Sequence, residues 1–419
     1  MNQGLDRIKA LLRGLGNPEE KLDFLHIGGT NGKGSTAAFA ASVLEAAGYR
    51  VGLYTSPYLV QFTNRMAING LDIPRQRLVE LVGRVKPLTE EIASEPALGQ
   101  PTEFEVVTAL ALTYFAQEAP DIVVLEVGLG GRLDATNAVL PKVTVITTVS
   151  LEHTHVLGDT PEAIAREKAG IIKEGVPVVT GTKGSVLDVV EETAAIQKAP
   201  LYRLGEDFSA KGISNGLLGQ HLHYSGISRH YDNLKISLLG NYQLENAAVA
   251  LAALELLSEK GYNLPEESIR RGLEVTRWPG RMEVIGSSPL VVIDGAHNIE
   301  AFKALRASMS SLFAHRKLVL LLGLLDDKVA EEILAEILPL ADEIIFTRPN
   351  SPRAADPGAL KDTAGKVTSK SVFVREEISE AVRLAFSLAG AQDLILIAGS
   401  LYLISEVRHF LADRSPETV

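Results

Sequence analysis

The chain has 419 residues and a formal net charge of −11, and 46% of it is hydrophobic against 22% charged. This balance excludes a disordered or collagen-like chain, and the acidic charge argues against nucleic acid as a partner. Cysteine is absent, which excludes disulfides and thiolate metal sites. Because the sequence has no signal-peptide pattern and no apolar run near the ~20 residues of a membrane span, we expect a cytoplasmic protein with no membrane partner.

The first half of the chain alternates short apolar runs with helical patterns, which predicts βαβ units in a doubly wound, mostly parallel sheet. The predicted strands are 22–27, 50–55, 121–127, 142–149 and 176–180, and the predicted helices are 35–47, 103–116 and 161–173. A polar, glycine-rich stretch at 203–235 predicts a small β insert, and a predicted helix at 242–260 follows it.

Residues 277–288 interrupt this pattern, because they hold one proline, two glycines and two serines. They predict a domain boundary, so we place one domain at 1–280 and another at 281–419. The alternation then restarts, which predicts a second, smaller Rossmann-like α/β domain. Its predicted strands are 290–293, 317–322, 343–347, 371–374 and 393–398, and its predicted helices are 299–313, 328–338, 357–366, 378–388 and 402–412.

The sequence GGTNGKGST at residues 28–36 lies between a predicted strand and a predicted helix. Its glycines let backbone N–H groups surround a phosphate chain, the helix N-terminus adds positive charge, and Lys33 can reach the β/γ oxygens. Ser35 or Thr36 could hold Mg²⁺. The strict motif fails, since Ile27 stands at its first glycine, and a glycine-rich turn with an exposed lysine is the alternative. The context favours a P-loop-type domain.

Three polar residues lie at or just beyond the ends of predicted strands in the first domain, namely Ser56, Glu126 and His153. Ligands of open α/β sheets bind beyond the carboxyl ends of the strands. A hydroxyl, a carboxylate and an imidazole there would suit Mg²⁺ bridging ATP phosphates, although imidazole is an unusual Mg²⁺ ligand. The alternatives are a structural partner for Glu126 and an ordinary hydrogen bond for His153.

Lys168 shares a predicted helix face with Ile164, Ile171 and Ile172 at helical spacing. A lysine on an apolar face should be uncharged, paired or modified. The alternative is a buried stem whose amine reaches water.

In the second domain, Asp294 and His297 follow a strand in DGAHN and can face a ligand, or can serve only the turn.

Together these motifs resemble the folylpolyglutamate synthase/dihydrofolate synthase family of the Mur-ligase superfamily. They keep the family's order over nearly the whole chain. The motifs are HIGGTNGKGST (26–36), YTSPYL (54–59), LEVGLGGRLDATN (125–137), LEHTHVLGDTPEAIAREKAGIIK (151–173), GNYQLENAAVAL (240–251), WPGRMEV (278–284), DGAHN (294–298) and GSLYLISE (399–406).

The resemblance implies a role for each matching residue. Ser56, Glu126 and His153 would bind one or two Mg²⁺ ions, and Lys168 would be carbamylated by CO₂. Lys33, Lys168 and His297 would be catalytic. ATP contacts are implied for Gly29, Thr30, Asn31, Gly32, Lys33, Gly34, Ser35, Asn246, Arg281, Asp294 and His297, and a pterin-side pocket for Thr102, Phe104, Asp134 and Ala135.

The implied reaction is ATP-driven amide formation between L-glutamate and a folate or dihydropteroate, catalysed by a monomer whose second domain closes over the nucleotide. Two rival functions are a cell-wall Mur ligase acting on a UDP-linked peptide and a nucleotide-dependent switch that forms no amide bond. Two positions depart from the family pattern. Asn64 replaces a glutamate, which puts substrate preference there in question, and Ile299 replaces a proline that a helix start does not require.

Overall fold

The computed structural model describes residues 4–326 and 328–412, and its α/β architecture confirms the predicted fold class. The chain forms two compact units. The first runs to Ile213 and includes His221–Ile236 and Gln243–Thr276, and the second comprises Ser214–Gln220, Ser237–Tyr242 and the chain from Arg277 onward. The predicted domain boundary between residues 280 and 281 remains a prediction.

The chain up to Val275 alternates strands and helices. The strands are β1 Phe24–Gly28, β2 Val51–Tyr54, β3 Met66–Ile68, β4 Leu71–Asp72, β5 Ile122–Glu126, β6 Val143–Ile146, β7 Val178–Thr180, β8 Leu201–Arg203, β9 Ser209–Gly216, β10 Gly219–Ser225 and β11 His230–Ile236. The helices are α1 Asp6–Gly14, α2 Lys33–Ala46, α3 Arg75–Ser94, α4 Glu103–Glu118, α5 Thr154–Leu157, α6 Pro161–Ala169, α7 Ser185–Ile196, α8 Tyr242–Glu259 and α9 Glu266–Val275.

The large sheet of the first unit has the order β4-β3-β2-β5-β1-β6-β7-β8. Strands β2, β5, β1, β6, β7 and β8 run parallel, whereas β3 and β4 are antiparallel additions at one edge. Strand β1 lies between β5 and β6, with Ile27 opposite Glu126 and Gly28 opposite Ile146. The loops after these three strands therefore leave the sheet at the same edge.

Both faces of this sheet are buried, as expected for parallel strands with helical crossovers. One face packs residues such as Phe24 and Leu125 against apolar side chains of α1, α3 and α4. The other packs Ile146 and Val178 against the segment after α6 and against α7. Helix α4 begins with a capping box, in which Thr102 accepts from the backbone of Glu105 and the Glu105 carboxylate accepts from the backbone of Thr102.

The second unit contains a six-stranded sheet of order β12-β13-β17-β14-β15-β16, parallel except for β12. Apolar side chains from this sheet and its helices form one continuous core. The strands are β12 Glu283–Ser287, β13 Leu290–Asp294, β14 Leu318–Leu322, β15 Glu343–Phe346, β16 Val372–Val374 and β17 Leu394–Ala398. The helices are α10 Ile299–Leu312, α11 Ala330–Ile337, α12 Pro357–Ala364, α13 Ile378–Leu388 and α14 Leu401–Ala412.

Three sequence expectations need correction. Strand β6 ends at Ile146 rather than at residue 149, because the residues after it bond to the loop that follows β1. Helix α6 ends at Ala169, where Gly170 is the C-cap. The boundary segment 277–288 contains β12, which pairs antiparallel with β13.

None of the helices in the described parts of the chain combines the length and apolar character that a membrane span requires.

Candidate active site

The loop between β1 and α2 depends on two glycines with positive φ. Gly29 has φ +139°, and a Cβ there would lie 2.0 Å from Thr147 Oγ1. Gly32 has φ +86°, and a Cβ there would lie 2.3 Å from Asn246 Oδ1. A side chain at either position would therefore meet both backbone strain and a steric clash. These constraints explain why glycine stands at each position.

Threonines beyond the end of β6 brace this loop, a role that the sequence did not reveal. Thr147 Oγ1 donates to Asn31 O at 2.7 Å, and Thr148 Oγ1 donates to the same oxygen at 3.1 Å. The backbone N–H of Thr30 donates to Thr148 O at 2.6 Å. These bonds hold the loop through contacts with the segment that follows β6. The only sequence signal was a threonine pair at the end of an apolar run.

The N-terminus of α2 suits a phosphate chain. Its N-cap is Gly32, which has no side chain to accept the first helical N–H groups, and the first turn contains no acidic residue. Uncapped amides and the helix dipole together favour an anion. Lys33 Nζ donates to Gly29 O at 3.1 Å and to Thr30 O at 3.0 Å, so its ammonium already lies on the loop. The loop and first-turn residues 29–35 thus form one anion-binding surface.

Ser56 and Glu126, two of the predicted metal ligands, are neighbours in the structure. The backbone N–H of Ser56 donates to Glu126 Oε2 at 3.1 Å, and Glu126 is buried at the end of β5. His153 follows β6, and its Nε2 lies 3.9 Å from Glu152 Oε1. The oxygen atoms of Ser56 and Glu126 fit Mg²⁺, which prefers hard oxygen ligands.

No cluster of three or more His, Asp or Glu residues within 4–326 and 328–412 is arranged to hold a metal. The predicted set contains only two such residues, Glu126 and His153, so its role remains a prediction.

Lys168 is only 3% exposed, and its Nζ donates to Gly29 O at 2.8 Å. The alternative in which its amine reaches water is therefore wrong. The pKa of Lys168 is lowered to about 7. Burial is the largest cause and the nearby ammonium of Lys33 is the second, whereas the carboxylates of Glu152 and Asp134 oppose the shift. Ile171 and Ile172 lie beyond the end of α6 at Ala169, so the helix face that they were predicted to share with Lys168 does not extend to them.

Asp134 is buried and organises the loop after β5. It accepts hydrogen bonds from Leu129 N at 2.8 Å, Thr136 N at 2.9 Å and Thr136 Oγ1 at 2.5 Å. Burial raises the pKa of Asp134, and these hydrogen bonds oppose the rise. His26 is also buried, with Nε2 2.9 Å from Thr136 Oγ1, and desolvation lowers its pKa to about 3.

The other predicted pterin-side residues lie near the same loop. The Phe104 ring occupies the space beside Gly128, where a Cβ would lie 2.3 Å from Cζ of that ring. Thr102 caps α4, and Ala135 is buried directly after Asp134. The start of α4 and the loop after β5 therefore meet, which brings Phe104 close to the loop that holds Asp134 and Ala135. Their contact with a substrate remains a prediction.

The Asn64 departure has a local explanation. Asn64 Nδ2 donates to Asp72 Oδ2 at 2.6 Å, while its Oδ1 accepts from Gln61 N at 2.9 Å. A glutamate at position 64 could not donate to Asp72 and would repel it. The guanidinium of the next residue, Arg65, lies 5.4 Å from the centre of the Tyr58 ring. Asn64 is thus complementary to Asp72, because its amide donates a hydrogen bond to that carboxylate.

Asn246 reaches the loop from α8, where it is buried against Gly32. Its Nδ2 donates to Gln243 Oε1 at 2.9 Å, and Gln243 Nε2 donates to Ser35 Oγ at 3.2 Å. Gln243 was missed from the sequence, because a glutamine on an apolar helix gives no signal of its partners.

The second unit places its predicted residues around the turn after β13. Asp294 is buried and accepts from Met282 N at 2.8 Å, Ala296 N at 2.7 Å and Tyr242 Oη at 3.1 Å. Burial raises its pKa, and the Arg281 guanidinium opposes that rise. Nδ1 of His297 lies 2.8 Å from Gly295 O.

Helix α10 starts at Ile299, so the missing proline does not prevent its formation.

Two family models match the chain. The Mur ligase middle domain matches residues 27–254, and the Mur ligase glutamate ligase domain matches residues 280–401. The dihydrofolate synthase/folylpolyglutamate synthase of Bacillus subtilis is 38% identical over 411 residues, which cover 97% of this chain and 94% of that protein.

Solved structures are also similar to this chain in sequence and in fold. The folylpolyglutamate synthase of Thermotoga maritima is 40% identical with a TM-score of 0.87, covering 99% of this chain and 94% of that one. The Mycobacterium tuberculosis folylpolyglutamate synthase complexed with ADP is 33% identical with a TM-score of 0.92, covering 99% and 95% respectively.

Proposed function

The chain belongs to the Mur ligase family and, within it, to the folylpolyglutamate synthase/dihydrofolate synthase family, and on that basis we propose that it joins L-glutamate to a folate or to 7,8-dihydropteroate in an ATP-dependent reaction. One observation carries most weight: an uncapped helix N-terminus with Lys33 lying on its loop. These features are suited to the triphosphate of a nucleotide.

The proposed reaction has two steps. A substrate carboxylate attacks the γ-phosphorus of ATP, which gives an acyl phosphate and releases ADP. The amino group of glutamate then attacks the acyl carbon, phosphate leaves, and the amine loses a proton. Lys33 neutralises charge on the transferring phosphoryl group, and the backbone N–H groups at the start of α2 hold the neighbouring phosphates. Exclusion of water protects the acyl phosphate from hydrolysis.

Ser56, Glu126 and His153 would hold one or two Mg²⁺ ions in this proposal. Bound Mg²⁺ supplies positive charge against the phosphate oxygens. The Glu126 carboxylate is kept in place by the Ser56 backbone, at a distance of 3.1 Å. Support for a metal here comes from these oxygen donors and their position beside the phosphate loop, where the strands β5 and β1 end.

Lys168 is proposed to be carbamylated. Its amine would bond to CO₂ and lose a proton, giving an anion with two acceptor oxygens. Carbamylation requires a neutral amine, and burial lowers the pKa of Lys168 enough to supply that form near neutral pH. The ammonium of Lys33 lies close enough to favour the anionic product. Electron density or ¹³C NMR after labelling with ¹³CO₂ tests the proposal, and an unmodified amine in active, CO₂-supplied enzyme would contradict it.

Substrate and nucleotide contacts complete the proposal. Thr102, Phe104, Asp134 and Ala135 would form the pterin-side pocket, supported by their proximity at the start of α4 and the loop after β5. Arg281, Asp294 and His297 of the second unit would contact the nucleotide, as would Asn246 of the first.

We further propose a cytoplasmic monomer, which size-exclusion chromatography with light scattering tests for its oligomeric state.

The decisive experiment is an assay of the purified chain with ATP, Mg²⁺ and L-glutamate, run in parallel with 7,8-dihydropteroate and tetrahydrofolate. We expect ADP release that depends on both glutamate and a pteridine substrate, together with a glutamylated product detected by mass spectrometry. ATP hydrolysis that needs neither would favour a nucleotide switch. A product formed only from a UDP-linked peptide would identify a cell-wall ligase.

A further inference from the structure

Gln243 links two parts of the proposed nucleotide site without belonging to the loop itself. It is fully buried in the first turn of α8, and its Nε2 donates to Ser35 Oγ across 208 residues of sequence. Its Oε1 accepts from Asn246 Nδ2 at 2.9 Å. Both polar ends of the amide are therefore occupied, as a buried amide requires.

The first bond orients the hydroxyl of Ser35, which is 3% exposed in the first turn of α2. A serine hydroxyl has one proton to donate and two lone pairs to accept with. Gln243 uses one lone pair, so the proton and the second lone pair remain for a phosphate oxygen or a cation. Without the amide, the hydroxyl would rotate among its rotamers and lose this orientation.

The second bond orients Asn246. Its Nδ2 is held by Gln243, which directs Oδ1 towards Gly32, where a Cβ would lie only 2.3 Å away. The side chain of Asn246 thus lies against the loop glycine at the N-cap of α2. If Gln243 released it, Asn246 could turn away from the loop.

We propose that Gln243 is a positioning residue for nucleotide binding, acting through Ser35 and Asn246 and not by contact with the ligand. The inference rests on the proposed function, since it assumes that the loop binds ATP. It predicts that the affinity for ATP falls when the amide is lost while the pteridine substrate still binds normally. It also predicts that the effects of changing Gln243 and Ser35 are coupled.

The test measures binding of a non-hydrolysable β,γ-methylene analogue of ATP by calorimetry in the presence of Mg²⁺. Gln243→Met keeps the unbranched shape but removes both hydrogen bonds, and we expect about fivefold weaker binding. In a Ser35→Ala background the same change should have a smaller effect, because the partner hydroxyl is already missing. The KM for ATP should rise without a change in the KM for dihydropteroate.

Gln220→Met is the matched control. Gln220 is another buried glutamine, whose Nε2 donates to Leu238 O and Gly240 O, so its loss should reduce stability and leave nucleotide affinity unchanged.

If Gln243→Met fails to fold, Gln243→Glu replaces it in the cycle, since this variant keeps an acceptor for Asn246 but removes the donor to Ser35. Unchanged affinity, or strictly additive effects with Ser35→Ala, would overturn the inference. Failure of the wild-type chain to bind the analogue would contradict the proposed function instead.

Discussion

Two strand–turn–helix junctions, one in each unit, use the start of a helix in opposite ways. At the β1–α2 junction the N-cap is Gly32, which offers no side-chain acceptor to the first amides. At the β13–α10 junction the N-cap is Asn298, whose Oδ1 accepts from Ala301 N at 2.9 Å. The N–H groups at the start of α2 are open to an external anion, so we call the β1–α2 junction the open junction. The N–H groups at the start of α10 are bonded in part by their own cap, so we call the β13–α10 junction the capped junction.

The charged side chains follow the same division. Lys33 places an ammonium on the carbonyls of Gly29 and Thr30, a cation within reach of an incoming phosphate. The end of β13 instead carries a buried carboxylate, Asp294, which accepts hydrogen bonds from the backbone N–H of Ala296 in the turn and of Met282 before β12. Both junctions have a similar sequence pattern, a strand followed by a glycine-containing turn. They support different chemistry because different groups accept hydrogen bonds from the first N–H groups of the helix.

The largest expected effect comes from removing the cation of the open junction. Lys33→Met should lower the ligation rate by on the order of 10³-fold, because the transferring phosphoryl group would lose the positive charge that Lys33 is proposed to supply. Its unfolding midpoint should stay close to that of the wild type. Lys183→Met is the control, because Lys183 is an exposed lysine paired with Glu245. Wild-type turnover in Lys33→Met would remove this loop from the mechanism.

Closing the open junction sterically should abolish nucleotide binding. Gly32→Ala would place a Cβ 2.3 Å from Asn246 Oδ1 at φ +86°, which displaces the loop or the asparagine. Gly48→Ala is matched in backbone strain, since Gly48 has φ +92° but no atom within 4 Å of a Cβ. Backbone strain should cost each variant about 1 kcal/mol of stability, and the clash with Asn246 should cost Gly32→Ala more. Only Gly32→Ala should lose ATP-analogue binding in calorimetry. Equal affinities in the two variants would contradict this account.

Sequence patterns predicted the local part of this comparison well. Both strands and both helices of the junctions were predicted. The glycines and Lys33 indicated a phosphate loop, because the residues that form such a loop are adjacent in the sequence. Within the described residues, helices α3, α5, α7 and α9 have no counterpart among the predicted helices. Of these, α3 carries an internal proline, which weakens a helical pattern.

The parts that could not be predicted depend on contacts between distant residues. Thr147, just after β6, donates to Asn31 O, and Gln243 of α8 donates to Ser35 Oγ. The sequence around Thr147 and Gln243 does not indicate either of these partners. The burial of Lys168 is a further example. Its helical spacing allowed either a buried or a solvent-exposed amine, and only the packed structure distinguishes them.

Lys168, which also bonds to the open junction, makes stability depend on pH. Its pKa is about 7 in the folded chain, against 10.5 for an ordinary lysine. Between these values the unfolded chain holds a proton that the folded chain lacks, so the free energy of unfolding rises with pH, by at most about 1.4 kcal/mol per pH unit. Below about pH 7 the cost of burying the charge persists in full.

The measurement is urea unfolding of the wild type and of Lys168→Met at pH 7, 8 and 9 in CO₂-free buffer, since carbamylation would add a second equilibrium. We expect the wild type to gain stability relative to the variant as the pH rises. A difference that stays constant over this range would show that Lys168 has an ordinary pKa in the folded chain.

The smallest expected effect is at the capped junction. Asn298→Ala removes the side chain that accepts from Ala301 N, and loss of such a cap costs about 1 kcal/mol. Asp356→Ala provides a matched comparison in the same unit, because Asp356 caps α12 by accepting from Gly358 N at 3.0 Å. Thermal unfolding should show a similar small loss in both variants. Asn298→Ala should bind the ATP analogue as the wild type does, because the cap bond lies within the chain. A large loss of affinity would show that the Asn298 side chain itself takes part in nucleotide binding.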